Sequence, residues 1–283
     1  MALVKTVNVT KKFKDLLALD NVNAEVKKGR IVGLVGKNGA GKSTLMKCII
    51  GFSKFEGEIF IDDQEIKYMD HKIFEDTAFI PDINSLDGRM KVKALISFFR
   101  GVHPKFNDER FDKLFATSNL PLDKKISKLS KGMKTKLYLI LILSLDVSFL
   151  ILDEPTLGLD IVYRSEFYNT ILSSFYNENR TVLISTHQVE EIEHILHDLI
   201  IIDQGKILVN DTIDNLLTYY KLITIDAKDR DKLEGIPHKV VTEGLSAIEV
   251  VVPRKADITG FKEAIPNLAH IFLYTLENQH ETV

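Results

Sequence analysis

Nine contiguous residues constrain the fold of this chain more than any other feature. Gly36-Lys37-Asn38-Gly39-Ala40-Gly41-Lys42-Ser43-Thr44 follows a short apolar run, residues 30–36, and opens a helical pattern over residues 43–50 that Gly51 closes. The spacing is G-x-x-x-x-G-K-[ST]. A buried strand must enter a tight glycine turn, and a helix must leave it. Glycines allow backbone N–H groups to converge on phosphate oxygens with no side chain in the way. The N-terminus of the helix adds partial positive charge at the same place. Lys42 is expected to reach the β- and γ-phosphates, and the Ser43 hydroxyl to ligate magnesium. A chance strand-turn-helix is a poor alternative, because it leaves three glycines and a Lys-Ser pair unexplained.

The rest of the chain alternates between the two hydrophobic periods. Apolar or alternating runs at residues 3–9, 22–26, 58–61, 78–80, 148–152, 181–184, 199–203 and 206–209 read as strands. Helical spacing recurs at residues 92–100, 108–118, 133–145, 163–178 and 189–196. Strands alternating with helices predict an α/β fold. The expected architecture is a P-loop NTPase parallel sheet core with an antiparallel β region, a helical subdomain at about residues 83–145 and a small C-terminal α+β appendage. The core domain is expected over residues 1–220 and the accessory region over 221–283. Within that tail, residues 222–227, 247–252 and 270–276 look strand-like and residues 256–265 helical.

Composition narrows the function classes. Apolar residues make up 45% of the 283, enough for a large core. The formal charge is -3, without the basic excess of a duplex nucleic-acid binder. The single cysteine, Cys48, excludes an intrachain disulfide and fits a reducing compartment. No leader-like basic and apolar stretch opens the sequence. Its longest apolar run, residues 137–145, is far below the ~20 residues of a membrane span, so the chain is not expected to cross a bilayer.

A second acidic site follows the apolar strand at residues 148–152. Asp153 stands where P-loop proteins place a carboxylate on the magnesium shell. Glu154, one residue on, is suited to accept a proton from an attacking water or to orient it. An acidic pair after a strand is more often a turn or helix cap; the phosphate loop upstream reverses that balance.

Together these residues resemble the nucleotide-binding subunit of ATP-binding cassette (ABC) transporters. Leu129-Ser130-Lys131-Gly132-Met133 is similar to the family's signature motif, and residues 155–160, ending in Asp160, to its D-loop. Ser185-Thr186-His187 is similar to its switch histidine segment. Phe13 stands where the family places an adenine-stacking aromatic, although an isolated Phe is more often core. Residues 78–82 stand at the Q-loop. The resemblance covers residues 3 to about 217, in the family's order.

It implies an ATPase using ATP and Mg2+. Two subunits, identical or paralogous, would meet head to tail with ATP between them. Ser130 and Gly132 of one would face the γ-phosphate bound by the other. His187 would hold that phosphate and orient water with Glu154, and Asp160 would cross the dimer. A separate transmembrane permease would carry the subunit as a peripheral protein on the cytoplasmic face. Arg89, Lys91, Lys93, Phe98, Phe99 and Phe106 are candidates for its docking groove. Asp82 replaces the usual Q-loop Gln or Glu. It reaches magnesium through a water, acts as a hinge beside Pro81, or is a plain turn residue. Lys131 and Met133 replace the usual Gly and Gln. Both departures resemble a bacterial branch that exports peptides and antibiotics. Two other classes compete. Cassette ATPases acting on DNA carry a long coiled coil and those acting on ribosomes two cassettes, and neither is present. A small-molecule kinase would leave Ser130, Gly132 and His187 without a role.

Overall fold

The computed structural model describes residues 1–81, 87–157, 159 and 161–278. The chain opens with a long hairpin, β1 (Ala2–Phe13) and β2 (Leu16–Lys27), and then enters β3 (Ile31–Val35), every residue of which is buried. Helix α1 (Lys42–Ile49) follows, then β4 (Glu56–Ile61), β5 (Gln64–Glu65) and β6 (Thr77–Ile80). Strands β1, β2, β4 and β5 form one antiparallel sheet in the order β2-β1-β4-β5.

Three helices come next: α2 (Val92–Val102), α3 (Asp108–Ala116) and α4 (Lys131–Leu143). Their apolar stripes meet in a separate small core that includes Leu95, Ile96, Phe111, Ile126, Leu137 and Leu141. Helix α3 has a complete start signal. The Asn107 side chain accepts the Arg110 N–H, and Asp108 and Glu109 sit in the positive first turn.

The chain then returns to the main sheet through β7 (Phe149–Asp153), α5 (Ile161–Ser174), β8 (Thr181–Thr186), β9 (Asp198–Asp203) and β10 (Lys206–Thr212). The sheet order is β10-β9-β3-β8-β7-β6, parallel throughout except at β9–β10. Such strands are buried on both faces, which explains their unbroken apolar runs. Alternate residues supply two cores: Ile31, Val35, Leu150 and Ile184 on one face; Val32, Leu34, Ile151 and Leu183 on the other. The carboxyl ends of β3, β7 and β8 lie side by side, where open α/β sheets place their ligands.

The last segment comprises α6 (Ile213–Tyr219), β11 (Tyr220–Asp226), β12 (Lys239–Glu243), β13 (Ala247–Pro253), β14 (Lys262–Ala264) and α7 (Leu268–Glu277). Its sheet order is β12-β13-β11-β14. Here the structure corrects three local expectations. Residues 270–276 belong to α7, not to a strand. Ile271, Phe272, Tyr274 and Thr275 favour strands individually, but the buried positions Leu268, Ile271 and Tyr274 follow helical spacing, and Asn267 caps the His270 N–H. Residues 256–265 form no helix. Gly260 adopts φ +85°, and β14 pairs with β11 instead. Finally, residues 189–196 make two short 3-10 turns, Val189–Glu191 and Glu193–Ile195, interrupted at Ile192 with φ -117°.

The C-terminal sheet uses one face for its own core, with Ile223, Ile225, Val250 and Val252. Its other face contributes Leu222 and Val251, with Leu268, Ile271 and Tyr274 of α7, to the core of the main sheet, where they join Val189 and Ile192. Glu193 Oε1 also accepts the Leu268 N–H at 3.0 Å, capping α7 from outside. Each fully buried side chain of this size contributes about 1.5–3 kcal/mol. A chain ending at Tyr219 should therefore melt roughly 10 °C or more below the full chain in calorimetry. An unchanged Tm would show that the tail contributes nothing to the core.

Candidate functional site

Two glycines of the loop at residues 36–41 stand where a Cβ would collide with neighbouring backbone. A Cβ on Gly36 would lie 2.3 Å from the Ile202 carbonyl oxygen of β9. Gly41 adopts φ +111°, the left-handed region, directly before α1, and a Cβ there would meet the Ala18 carbonyl at 2.8 Å. No side chain caps α1, so its first N–H groups are left for an anion. Lys42 is 5% exposed. Its ammonium donates to the carbonyls of Gly36 (2.8 Å) and Lys37 (3.2 Å), which hold it across the mouth of the loop. Lys37, Asn38, Gly39, Ala40 and Thr44 complete the loop and the first helical turn.

Two neighbouring strand ends, those of β7 and β8, supply the acidic half. Asp153, the last residue of β7, is fully buried, and its Oδ1 accepts the Ser43 hydroxyl at 2.9 Å. The Ser185 hydroxyl donates to the same oxygen at 2.7 Å. Glu154 turns out of the strand with φ +45°, a conformation that costs a non-glycine residue about 1–3 kcal/mol. That turn aims its carboxylate in two directions. Oε1 lies 3.2 Å from Lys42 Nζ, and Oε2 lies 2.9 Å from Nδ1 of His187, the residue after β8. Two polar groups thus lie side by side at the ends of β3, β7 and β8: Ser43, Asp153 and Ser185 in one, and Lys42, Glu154 and His187 in the other.

A cleft of about 860 Å³ runs outward from these groups. Asn38, Gly39, Gly41, Lys42, Ser43, Thr44, Glu154 and His187 line its inner part, and Phe13, Leu16, Leu17 and Gly205 its outer part. Phe13 is no core residue: its ring is 48% exposed at the tip of the β1–β2 hairpin, with the Lys11 ammonium 4.6 Å from the centroid. The cleft therefore joins a phosphate-sized cradle to an exposed aromatic face.

Ser130 is the N-cap of α4, its hydroxyl accepting the Met133 N–H at 3.2 Å. The helix begins at Lys131, two residues before the sequence pattern suggested, so Gly132 lies inside its first turn. A Cβ on Gly132 would meet nothing within 4 Å. Asp82 and Asp160 lie outside the described residues.

The donor set fits a small hard cation. Ser43 and Asp153 offer a hydroxyl and a carboxylate oxygen 2.9 Å apart, both hard oxygen donors. Among the described residues, no group of three or more His, Cys, Asp or Glu is arranged to hold a metal by itself. Mg2+ in phosphate sites uses one or two carboxylates and completes its shell with phosphate oxygens and water, unlike Zn2+ with its closed nitrogen and sulfur sets. Ser185 is the member of this site that motif reasoning leaves without a role. The available signal was its position two residues before His187 at the end of an apolar strand.

A phosphate loop after β3, a carboxylate ending β7 and a helical subdomain between them define an ATPase of the P-loop class. Comparison with known proteins specifies which. A family model described as "ABC transporter" matches residues 19–157. The chain is 31% identical over 219 residues to the lantibiotic transport ATP-binding protein SrtF of Streptococcus pyogenes, covering 75% of this chain and 92% of that one. It is 32% identical over 179 residues to the ABC transporter ATP-binding protein YtrB of Bacillus subtilis (strain 168), covering 62% of this chain and 61% of that protein. Proteins named for galactose import also match, at 29% identity. A solved ATP binding subunit of an ABC transporter superposes with a TM-score of 0.65 at 26% identity, covering 76% of this chain and 91% of that one. The chain belongs to the ABC transporter family. It carries the family's ATP-binding domain, an ATPase coupled to transport.

Proposed function

We propose that this chain is the MgATP-hydrolysing subunit of an exporter for peptides, antibiotics or similar amphipathic compounds. The convergence of Lys42, Ser43, Glu154 and His187 on one cleft, with buried Asp153 bonded to Ser43 behind it, carries the hydrolytic part of this reading. Lys42 and the loop N–H groups hold the β- and γ-phosphates. Ser43 and Asp153 hold Mg2+, which supplies charge neutralisation on the phosphates when bound. Glu154 takes the proton of the attacking water, and His187 keeps the Glu154 carboxylate directed at it. Phe13 stacks on the base. Head-to-tail pairing with a second subunit, identical or paralogous, brings Ser130 and Gly132 at the positive end of α4 to the opposite γ-phosphate. The export direction rests on the altered signature at Lys131 and Met133 and on the likeness to SrtF.

Among the described residues, no helix is long and apolar enough to cross a membrane. In this reading a separate permease subunit carries the transport path, with this chain at its cytoplasmic face. A groove of about 560 Å³ between the helical subdomain and the main sheet supports that docking. Phe52, Phe74, Phe99, His103 and Tyr138 line it. Of the six docking candidates in the sequence, only Phe99 lies there. Arg89, Lys91 and Lys93 are exposed and paired with Asp87 or Asp123, Phe98 is exposed, and Phe106 packs on Phe111. Co-purification from membranes tests the proposal. The tagged chain should bring down a multi-span membrane protein, and Phe99→Asp should lose that partner while still binding ATP. A chain that stays partnerless in membranes but binds ribosomes would overturn the transport reading.

A further inference from the structure

One buried hydroxyl bonds the Asp153 carboxylate and the backbone N–H of Glu154. Strands β7 and β8 pair in parallel, and their register sets Asp153 opposite Ser185. Ser185 is 0% exposed. Its Oγ donates to Asp153 Oδ1 at 2.7 Å and accepts the Glu154 N–H at 2.9 Å. A serine hydroxyl has one proton and two acceptor sites, so the two bonds coexist. We propose that Ser185 is a positioning residue that locks the magnesium-binding carboxylate and the water-activating carboxylate into one mutual geometry. This inference rests on the MgATPase function proposed for the same site.

Two observations give the contact more than a packing role. First, Asp153 Oδ1 has two hydroxyl donors, Ser43 and Ser185. Ser43 is the one assigned to the cation, so Ser185 is the donor left to orient Asp153. Second, the N–H that Ser185 accepts belongs to the residue in the left-handed turn. That turn is what lets the Glu154 carboxylate lie 3.2 Å from Lys42 and 2.9 Å from His187. Removing the Ser185 oxygen therefore loosens Asp153 and the Glu154 turn together. The loop glycines, Ser43 and the start of α1 make no hydrogen bond to Ser185 and keep their geometry. Metal response and turnover should suffer, and nucleotide binding without metal should not.

The test uses the full chain with Ser185→Ala, Ser185→Cys and Ser185→Thr. Cysteine keeps the shape but bonds weakly, and threonine keeps the hydroxyl. Binding of a fluorescent ATP analogue is measured in EDTA and across a Mg2+ titration, alongside kcat, KM and Tm. Partners that orient metal ligands are typically worth 10–100-fold. Alanine and cysteine should thus raise the Mg2+ midpoint by about 10-fold or more and lower kcat by a similar factor. Metal-free analogue affinity should stay within about twofold, and threonine should restore both lost properties. An unchanged Mg2+ midpoint and kcat in Ser185→Ala would overturn the proposal. So would a loss of metal-free affinity in step with a lowered Tm, the mark of a purely structural residue. A wild-type chain whose ATP binding ignores Mg2+ would instead sink the MgATPase function itself.

Discussion

Glu154→Gln should slow ATP turnover by roughly 10²–10⁴-fold while ATP binding survives. The substitution keeps the shape of the side chain and its contact with His187 Nδ1, but it removes the acceptor for the proton of the attacking water. It also takes a negative charge from beside the γ-phosphate, so ATP should bind as tightly as before or slightly more so. ATP that is bound and not cleaved would hold two subunits together. Size-exclusion chromatography should then show a dimer on ATP that reverts to monomer on ADP. Turnover within about threefold of wild type would remove Glu154 from the role of general base. Loss of binding as well as turnover would point to the 3.2 Å contact with Lys42 as the feature that matters.

Lys42→Ala should act at an earlier step, on binding itself. Lys42 is nearly fully buried and bonded to Gly36, Lys37 and Glu154. Its ammonium is therefore already fixed where phosphates would arrive, and little ordering entropy is lost on binding. A charge-assisted hydrogen bond contributes about 1.5–3 kcal/mol, and 1.4 kcal/mol is tenfold in affinity. One or two such bonds to phosphate give an expected loss of about 10–100-fold or more in ATP affinity, readable by isothermal titration calorimetry. Adenosine, which has no phosphate, should bind the variant and the wild type equally. Full retention of ATP affinity would show that the glycine loop is not the phosphate cradle.

Much of the site was readable from the sequence because its signals are short. The phosphate loop is contiguous, and glycines are the one residue type that Ile202 and Ala18 leave room for at Gly36 and Gly41. Asp153 and Glu154 announce themselves by ending an apolar run. Ser185 carries a weaker mark, its place two residues before His187 at the end of an apolar run. Its bonds exist because β8 lies beside β7 in a register that sets it opposite Asp153, and pairing between strands so distant in sequence leaves no local trace. Phe13 was ambiguous for a related reason: only the hairpin geometry shows that its ring stays exposed beside the cleft. In the tail, aromatic and β-branched residues outweighed the weaker helical spacing of Leu268, Ile271 and Tyr274. Packing against Val189 and Ile192 decided the conformation that propensity had not.

The shared core between the tail and the main sheet also bears on how the chain is made. Everything through β10 is synthesised before the strands and helix that cover its apolar face. At ~5–20 residues per second, the ~60 residues that follow α6 take roughly 3–12 s to synthesise. Throughout that interval the surface later closed by Leu222, Val251, Ile271 and Tyr274 faces solvent, beside a sheet whose strands are rich in isoleucine, leucine and valine. Until α7 docks, that surface is the most adhesive part of the nascent chain, and the packing of Leu268, Ile271 and Tyr274 is what closes it.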